Sequence, residues 1–546
     1  MDRSANPINI NVKIILLITV IVIALSGCQS QKPNYKEQDI VHVKSTNIEK
    51  KKVIFVLVDS LMPQAIEYGL AQNQLPTFKY LIEKGQYYDD LVSSFPTMSV
   101  TIDSTLITGA YPDKHHIPGL IWYSEQEKRI VSYGTGPMEI MKQGVNTVLA
   151  DGLIHLNGQH LNKQLPTIYE ELAKFGLKSG SINGLLYRGN TEHRLKVPLW
   201  LQGTAALPAE IAVKGPDYLS MGALSNPLDE IKEMPESIFS RIGLNNQFAI
   251  DTATYLIGND KLPDYLYIYL PDLDQKIHKK SPSDQEAVLA EVKKIDQQLQ
   301  QLLQSFGSIE KALDKAIILV AGDSGMTPIQ SKDANPVIDL PAILNEFQVF
   351  RQGDEITDRT DIVLAVNETM AYVYKLKEEI AMEDLATKLR QDPRIDFVSW
   401  KEQDKAHVIR SDTDKRLIFK PNGNLIDAYN QKWTVEQASE VLDVKIDSQN
   451  KTINYGRYPD ALRRLYSALH SHEGQYLIVG AKPGYELAGR DSPTHKGGGG
   501  HGSLGKEESL VALIISGTNK KPKYNRVIDL KDYLLELLVK PASNLD

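Results

Sequence analysis

Lys52-Val53-Ile54-Phe55-Val56-Leu57-Val58, followed by Asp59-Ser60, is an unbroken β-branched and apolar run that ends in an acid and a hydroxyl. A strand covered on one face alternates apolar and polar residues. A strand buried on both faces, as in a parallel sheet between helices, is apolar throughout. The run therefore predicts a strand of the second kind. Tyr265 to Leu270, Ala316 to Ala321 and Leu510 to Ile515 share its character, and Gln475 to Gly480 is a shorter candidate. Between them, Ser281 to Phe306 places Val288, Val292, Ile295, Leu299, Leu302 and Phe306 at spacings of three and four, the stripe of an amphipathic helix. Strands alternating with helices predict an α/β fold with a mostly parallel central sheet flanked by helices.

In such sheets ligands gather at the carboxyl ends of the strands. The first strand delivers Asp59, the second Asp272, Asp274 and His278, and the third Asp323; a Gly-rich stretch just before Leu510 delivers His495 and His501. Any one carboxylate after a strand can be a helix cap or a turn former. Four such deliveries point instead to a shared site. Divalent ions such as zinc take imidazole and carboxylate ligands, and two ions about 4 Å apart can hold both oxygens of a phosphoryl transfer. Asp274 and His278, four residues apart, can meet on one ion from a loop or a helical turn. The segment Phe95-Pro96-Thr97-Met98-Ser99-Val100-Thr101 reads as a Pro-marked loop entering a helix. A serine there is either an N-cap or a nucleophile set where unpaired N–H groups favour a phosphate.

Pro96-Thr97-Met98-Ser99 followed by Thr108-Gly109-Ala110-Tyr111-Pro112 resembles the type I phosphodiesterase and nucleotide pyrophosphatase branch of the alkaline phosphatase superfamily. The register places the nucleophile on Ser99. Val58-Asp59 precedes these elements, while Asp274 to His278, Gly322-Asp323-Ser324-Gly325-Met326 and Gly500-His501-Gly502 follow in family order. The resemblance implies two divalent metal ions, with zinc expected. Asp274, His278 and His501 would surround one, and Asp59, Asp323 and Ser99 the other. The family carries a histidine directly after the second-site aspartate, where this chain has Ser324. A hydroxyl is a poorer zinc ligand, so that site is expected to bind weakly, to prefer Mg²⁺ or Mn²⁺, or to recruit a replacement such as His495. A second departure is Leu120-Ile121 after His115-His116-Ile117, where related phosphodiesterases place an asparagine.

The implied activity is hydrolysis of a phosphodiester or nucleotide pyrophosphate through a covalent Ser99 intermediate. The alternatives are a transferase acting on an envelope phospho-group, or a non-catalytic ligand-binding lipoprotein with a degenerate site. The expected substrate is a small-molecule or lipid phosphoester, and no protein partner is expected. A formal net charge of -8, from 69 acidic and 61 basic residues mixed along the chain, argues against a nucleic-acid partner.

The remaining sequence sets the organisation. Residues 1–28 read as a lipoprotein signal peptide: Lys13, the apolar stretch Ile14 to Leu25, then Leu25-Ser26-Gly27-Cys28, which resembles a bacterial lipobox. Cys28 is the only cysteine, so no internal disulfide can form, and its place after the apolar stretch marks it for lipidation. The expected location is outside the cell, lipid-anchored to the outer face of the bacterial membrane. Residues 29–50 read as a flexible tether. Residues 51–345 and 471–541 form the expected catalytic core, and 346–470 an inserted α+β subdomain in which Asn367 to Leu376 and Phe397 to Ile409 read as strands and Met382 to Gln391 as a helix. Gly119 to Leu161 reads as a smaller excursion with little helical periodicity.

Overall fold

In the computed structural model Lys52–Val58 is the middle strand of a seven-stranded sheet. The order is Gly85–Val92, Leu510–Ser516, Ala316–Gly322, Lys52–Val58, Tyr265–Leu270, Ser179–Ile182 and Tyr218–Ser220. The structure describes residues 50–134, 144–197, 208–225, 244–352 and 354–539, which lie in one unit of the chain, 43–546. Residues 1–28, read as a signal peptide ending at Cys28, and nearly all of 29–50, read as a tether, lie outside the described residues.

Alternate side chains of the central strand enter opposite cores. Ile54, Val56 and Val58 pack under Pro63–Ala71, Asn246–Gly258 and the long Gln285–Gln304 helix. Val53, Phe55 and Leu57 pack under Ser99–Thr108, Ile168–Lys174 and Val527–Leu538. All six are at most 2% exposed. Each contributes about 1.5–3 kcal/mol of burial, which is why neither face tolerates a polar residue. The long helix starts at Gln285 rather than Ser281, because the Asp284 carboxylate caps it by accepting from the Ala287 N–H.

The sheet is mostly parallel, with one correction. Leu510–Ser516, expected as a strand like the others, runs antiparallel to both its neighbours. Its amino end therefore lies at the carboxyl edge of the parallel strands, so the residues before it, including His501, arrive where the other loops do.

Tyr476–Ala481 is a strand, but it pairs with Met370–Lys375 and Ile395–Glu402 in a separate nine-stranded sheet. The helices Ala461–Leu469 and Met382–Leu389 join the two cores on this sheet. Two segments read as single strands are hairpin pieces. Met370–Lys375 turns back at Glu368 onto Ile362–Asn367, and Ile395–Glu402 turns onto Lys405–Arg410. In the excursion after Gly119 a hairpin, Ile121–Ser124 with Arg129–Ser132, precedes a helix, Val145–Ala150, that continues as π-helix over Asp151–His160. The wider π turn removes the 3.6-residue period, which explains the missing helical signal.

Candidate active site

Loops at the carboxyl edge of the seven-stranded sheet, together with the hairpin turn at Glu368, line a cleft of about 320 Å³ into which Ser99, Tyr269, Asp274, His278, His495 and His501 face. Asp59 follows the central strand directly and is 5% exposed. One of its oxygens accepts from the Tyr269 hydroxyl, and the other accepts from the Ser99 hydroxyl at 3.3 Å. Ser99 is the first residue of its helix. Thr101 and Ile102 make the first backbone bonds, both to the Met98 carbonyl, so the Ser99 and Val100 N–H groups stand ahead of the ladder beside the hydroxyl. Phosphate oxygens are favoured at such an end.

Ser60 adopts a left-handed backbone, φ 59°. That turn lets its N–H donate to Asp323 at 2.9 Å and its hydroxyl donate to Asp274 at 2.9 Å, 3.1 Å from the Ser324 hydroxyl. Asp323 is fully buried; Oδ1 also accepts from the Ser324 N–H at 2.6 Å, and Oδ2 has no hydrogen-bond partner.

Opposite these groups, Asp274 sits in the short helix Asp272–Ile277 after the second parallel strand. His278 Nε2 is 3.3 Å from one of its oxygens and His501 Nε2 is 3.5 Å from the other. Each ring is fixed through its other nitrogen: His278 Nδ1 donates to the Gly499 carbonyl at 2.9 Å and His501 Nδ1 to the Thr97 carbonyl at 2.6 Å. Ligating histidines are commonly oriented in this way. The His501 loop is laced to the Ser99 loop, since Gly502 N–H donates to the Thr97 hydroxyl at 2.8 Å. Gly502 has φ +129°, and a Cβ there would come within 2.4 Å of the Asn367 carbonyl oxygen, so no other residue fits without displacement. Fully buried Arg464 ties the same loops by donating to the Ser94 and Leu504 carbonyls and the Ser509 hydroxyl.

The charges are unbalanced in a way that suits cations. Burial, reinforced by the Asp274 and Asp323 carboxylates, pushes Asp59 well above the usual carboxylate range, and burial raises Asp323. Burial would lower His278, but Glu368 and Asp274 outweigh it and raise the imidazole to about 9. His501 is raised against burial by Glu368 and Asp274. Burial would raise Asp274, but His278 and His501 hold it below the usual range. No lysine or arginine stands among the described residues lining the cleft. Buried carboxylates without such partners cost several kcal/mol unless a cation or a proton neutralises them. The partnerless Asp323 oxygen, and two imidazole nitrogens that converge on the Asp274 carboxylate, fit divalent ions.

The sequence-predicted residues thus fall into two flanks. Asp274, His278 and His501 form one, and Asp59, Ser99, Asp323 and Ser324 the other. His495 lies with the first: its ring centroid is 4.4 Å from that of His278, and its Nδ1 is 3.2 Å from Glu486. Sequence reasoning missed Ser60, Tyr269, Glu368 and Asn367. Glu368, at the hairpin turn with φ 58°, has Oε1 3.7 Å from His278 Nε2 and Oε2 bonded to the His501 N–H at 3.0 Å. Asn367 lines the cleft beside the segment after Ile117, where the family's asparagine is absent. Its Oδ1 accepts from the Leu120 and Ile121 N–H groups and its Nδ2 donates to the Ile121 carbonyl, so it holds that segment in place.

The fold and cleft together define a hydrolase of phosphoric ester bonds. Residues 53–504 match the type I phosphodiesterase / nucleotide pyrophosphatase family, and the chain belongs to that family. None of the curated protein sequences is significantly similar to it. Among solved structures, murine ectonucleotide pyrophosphatase/phosphodiesterase 5 superposes with a TM-score of 0.53 at 14% identity, covering 91% of this chain and 97% of that one. An inactive form of the same murine protein in complex with AMP gives 0.52, with the same identity and coverage. Phosphonoacetate hydrolase from Sinorhizobium meliloti, in complex with phosphonoformate, gives 0.53 at 17% identity, covering 91% and 99%. These likenesses show an alkaline-phosphatase-like α/β fold.

Proposed function

We propose that the chain hydrolyses phosphodiester or nucleotide pyrophosphate bonds with Ser99 as the nucleophile. The observation that carries this reading is Ser99 itself, at a helix amino end, hydrogen-bonded to Asp59 and facing the Asp274–His278–His501 set across the cleft. Two divalent ions would be held by Asp274, His278 and His501, and by Asp59, Asp323 and Ser99, with Ser324 as a weak further ligand. Bound there, such ions supply positive charge that favours the serine alkoxide and a leaving oxygen.

The chain's own groups do the rest. Asp59 Oδ1 receives the Ser99 Oγ–H and so aims the oxygen lone pairs into the cleft. Oγ gives up its proton to solvent as it attacks phosphorus, the leaving alcohol or phosphate departs with its bonding electrons and takes up a proton from solvent, and the phosphoryl group is left on Ser99. The helix amino end stabilises the equatorial oxygens. Water then attacks the same phosphorus, releasing product and restoring the Ser99 hydroxyl. The all-oxygen flank of Asp59, Asp323 and Ser324 favours Mn²⁺ or Mg²⁺, and the imidazole flank favours zinc.

The test is hydrolysis of a chromogenic phosphodiester by chelated protein resupplied with zinc, manganese or magnesium, beside Ser99→Ala. Ion-restored turnover that falls by about 10³-fold or more in the variant supports the proposal. Folded protein that no ion revives on this reporter removes simple phosphodiester hydrolysis and moves the transferase reading ahead. The proposal extends to the amino terminus: Cys28 carries a lipid and holds the exported enzyme at the outer membrane face. Wild-type chain that takes up no labelled fatty acid, beside Cys28→Ser as the unlabelled control, would sink that part.

A further inference from the structure

Three polar side chains in or behind the cleft are not used by the reaction above: Glu368, His495 and Glu486. Glu368 stands at a hairpin turn in a left-handed conformation that costs a non-glycine residue about 1–3 kcal/mol. That turn brings its carboxylate to the His278 ring at 3.7 Å and 4.0 Å from His495 Nδ1, and among the described residues its ion-pair partners are these two histidines. One donor atom each from His278, Glu368 and His495 falls within 4.8 Å of the others. Ligands on a tetrahedral ion with bonds of about 2.0–2.1 Å stand about 3.3–3.4 Å apart, so the set closes on an ion once its side chains shift inward by about 1 Å.

Glu486 supplies an independent observation. Its carboxylate is fully buried, and it accepts both from the His495 backbone N–H at 2.9 Å and from ring Nδ1 at 3.2 Å. That bond takes up Nδ1, the His495 nitrogen that stands 4.0 Å from Glu368, and leaves Nε2 as the nitrogen open to a cation.

We infer that Glu368, His495 and His278 form a further divalent-cation position, of the zinc class, on the outer side of the Asp274–His278–His501 set. The inference rests on reading that set as cation ligands. His278 has one ring nitrogen free, so it can serve only one of the two positions at a time. When the inner ion holds it, Glu368, His495 and water carry the outer one, which is therefore the weaker. One imidazole and one carboxylate, joined by His278 only when the inner position is empty, favour zinc over magnesium. His495 does not then replace the histidine missing at Ser324; it equips a different position.

The experiment is zinc stoichiometry of the purified protein across a series of chelator-buffered free zinc concentrations, for the wild type, Glu368→Gln and His495→Ala, with folding checked by circular dichroism. The expected result is one weaker zinc equivalent in the wild type that is lost in both variants, while the tighter equivalents keep their affinity within about threefold. Glu486→Gln is expected to weaken the outer equivalent roughly 10- to 100-fold. Equal stoichiometry and affinity in folded Glu368→Gln and His495→Ala overturn the inference. Should a variant fail to fold, zinc-edge anomalous diffraction from wild-type crystals decides: a peak about 2.0–2.3 Å from Glu368 and His495 supports it, and peaks confined to the other ligands at saturating zinc overturn it. None of these readouts depends on turnover, so a failed phosphodiesterase assay and a failed outer site are told apart.

Discussion

The two flanks of the cleft differ in kind. The flank of Asp274, His278 and His501 offers nitrogen, and its rings are held by backbone carbonyls of neighbouring loops. The flank of Asp59, Asp323, Ser99 and Ser324 offers oxygen alone, and its groups are held by hydroxyls and N–H groups. Ser60 joins them, its N–H on Asp323 and its hydroxyl on Asp274. Two neighbouring positions in one cleft thus differ in softness, and Ser324 is the residue that makes the difference. It stands buried where an imidazole would match the other side.

The largest expected effect comes from removing the nitrogen flank. His501→Ala should cost more than about 100-fold in turnover together with zinc retention, measured by hydrolysis and by metal analysis after dialysis. If zinc and turnover survive, the flank is not the tighter position. Ser324→His should erase the contrast. Zinc affinity at the oxygen flank is expected to rise about 10- to 100-fold and any manganese or magnesium preference to disappear, read from ion-resupply curves. An unchanged ion profile would place the contrast elsewhere.

A smaller effect concerns pH. Asp59 and Asp323 have raised values in the folded chain, so the fold holds their protons more tightly than the unfolded chain does. Chelated protein should therefore lose stability as pH rises from about 4 through the raised values. A fall of several degrees in Tm is expected, flattened in Asp59→Asn and by added zinc. A Tm independent of pH in chelated protein would argue against strained carboxylates. The smallest effect is Tyr269→Phe, which removes the hydroxyl on Asp59. It should destabilise the chelated fold by about 1 kcal/mol and tighten ion binding on the oxygen flank severalfold; looser binding would mean that the tyrosine aims the carboxylate.

Much of the sheet was legible because it obeys local rules, and so was the gathering of acids and histidines at its carboxyl edge; their division into two sets came from the family resemblance. Lys52–Val58 is apolar on both faces, and acids follow strands where loops must turn. What was not legible depended on partners far along the chain. Nothing within Leu510–Ser516 states its direction, which is set by the loop that returns it between two distant strands. An apolar run such as Tyr476–Ala481 fits the middle of either sheet. Glu368 carries no local signal because its neighbours His278 and His495 lie about 90 and 127 residues away; the hairpin Ile362–Asn367 with Met370–Lys375 brings it there. The Ser60 bridge needs a left-handed serine, which composition does not announce.

The antiparallel strand has a bearing on how the molecule assembles. Leu510–Ser516 slots between Gly85–Val92 and Ala316–Gly322, so it closes a gap between elements already synthesised long before it. A chain ending ahead of that strand would leave two unpaired edges open to other chains and would leave the loop bearing His501 without an anchor. Shortening from that end is therefore expected to give aggregation rather than a trimmed enzyme. Sheet closure and completion of the nitrogen flank become one late event, governed by contacts of the longest range in the chain.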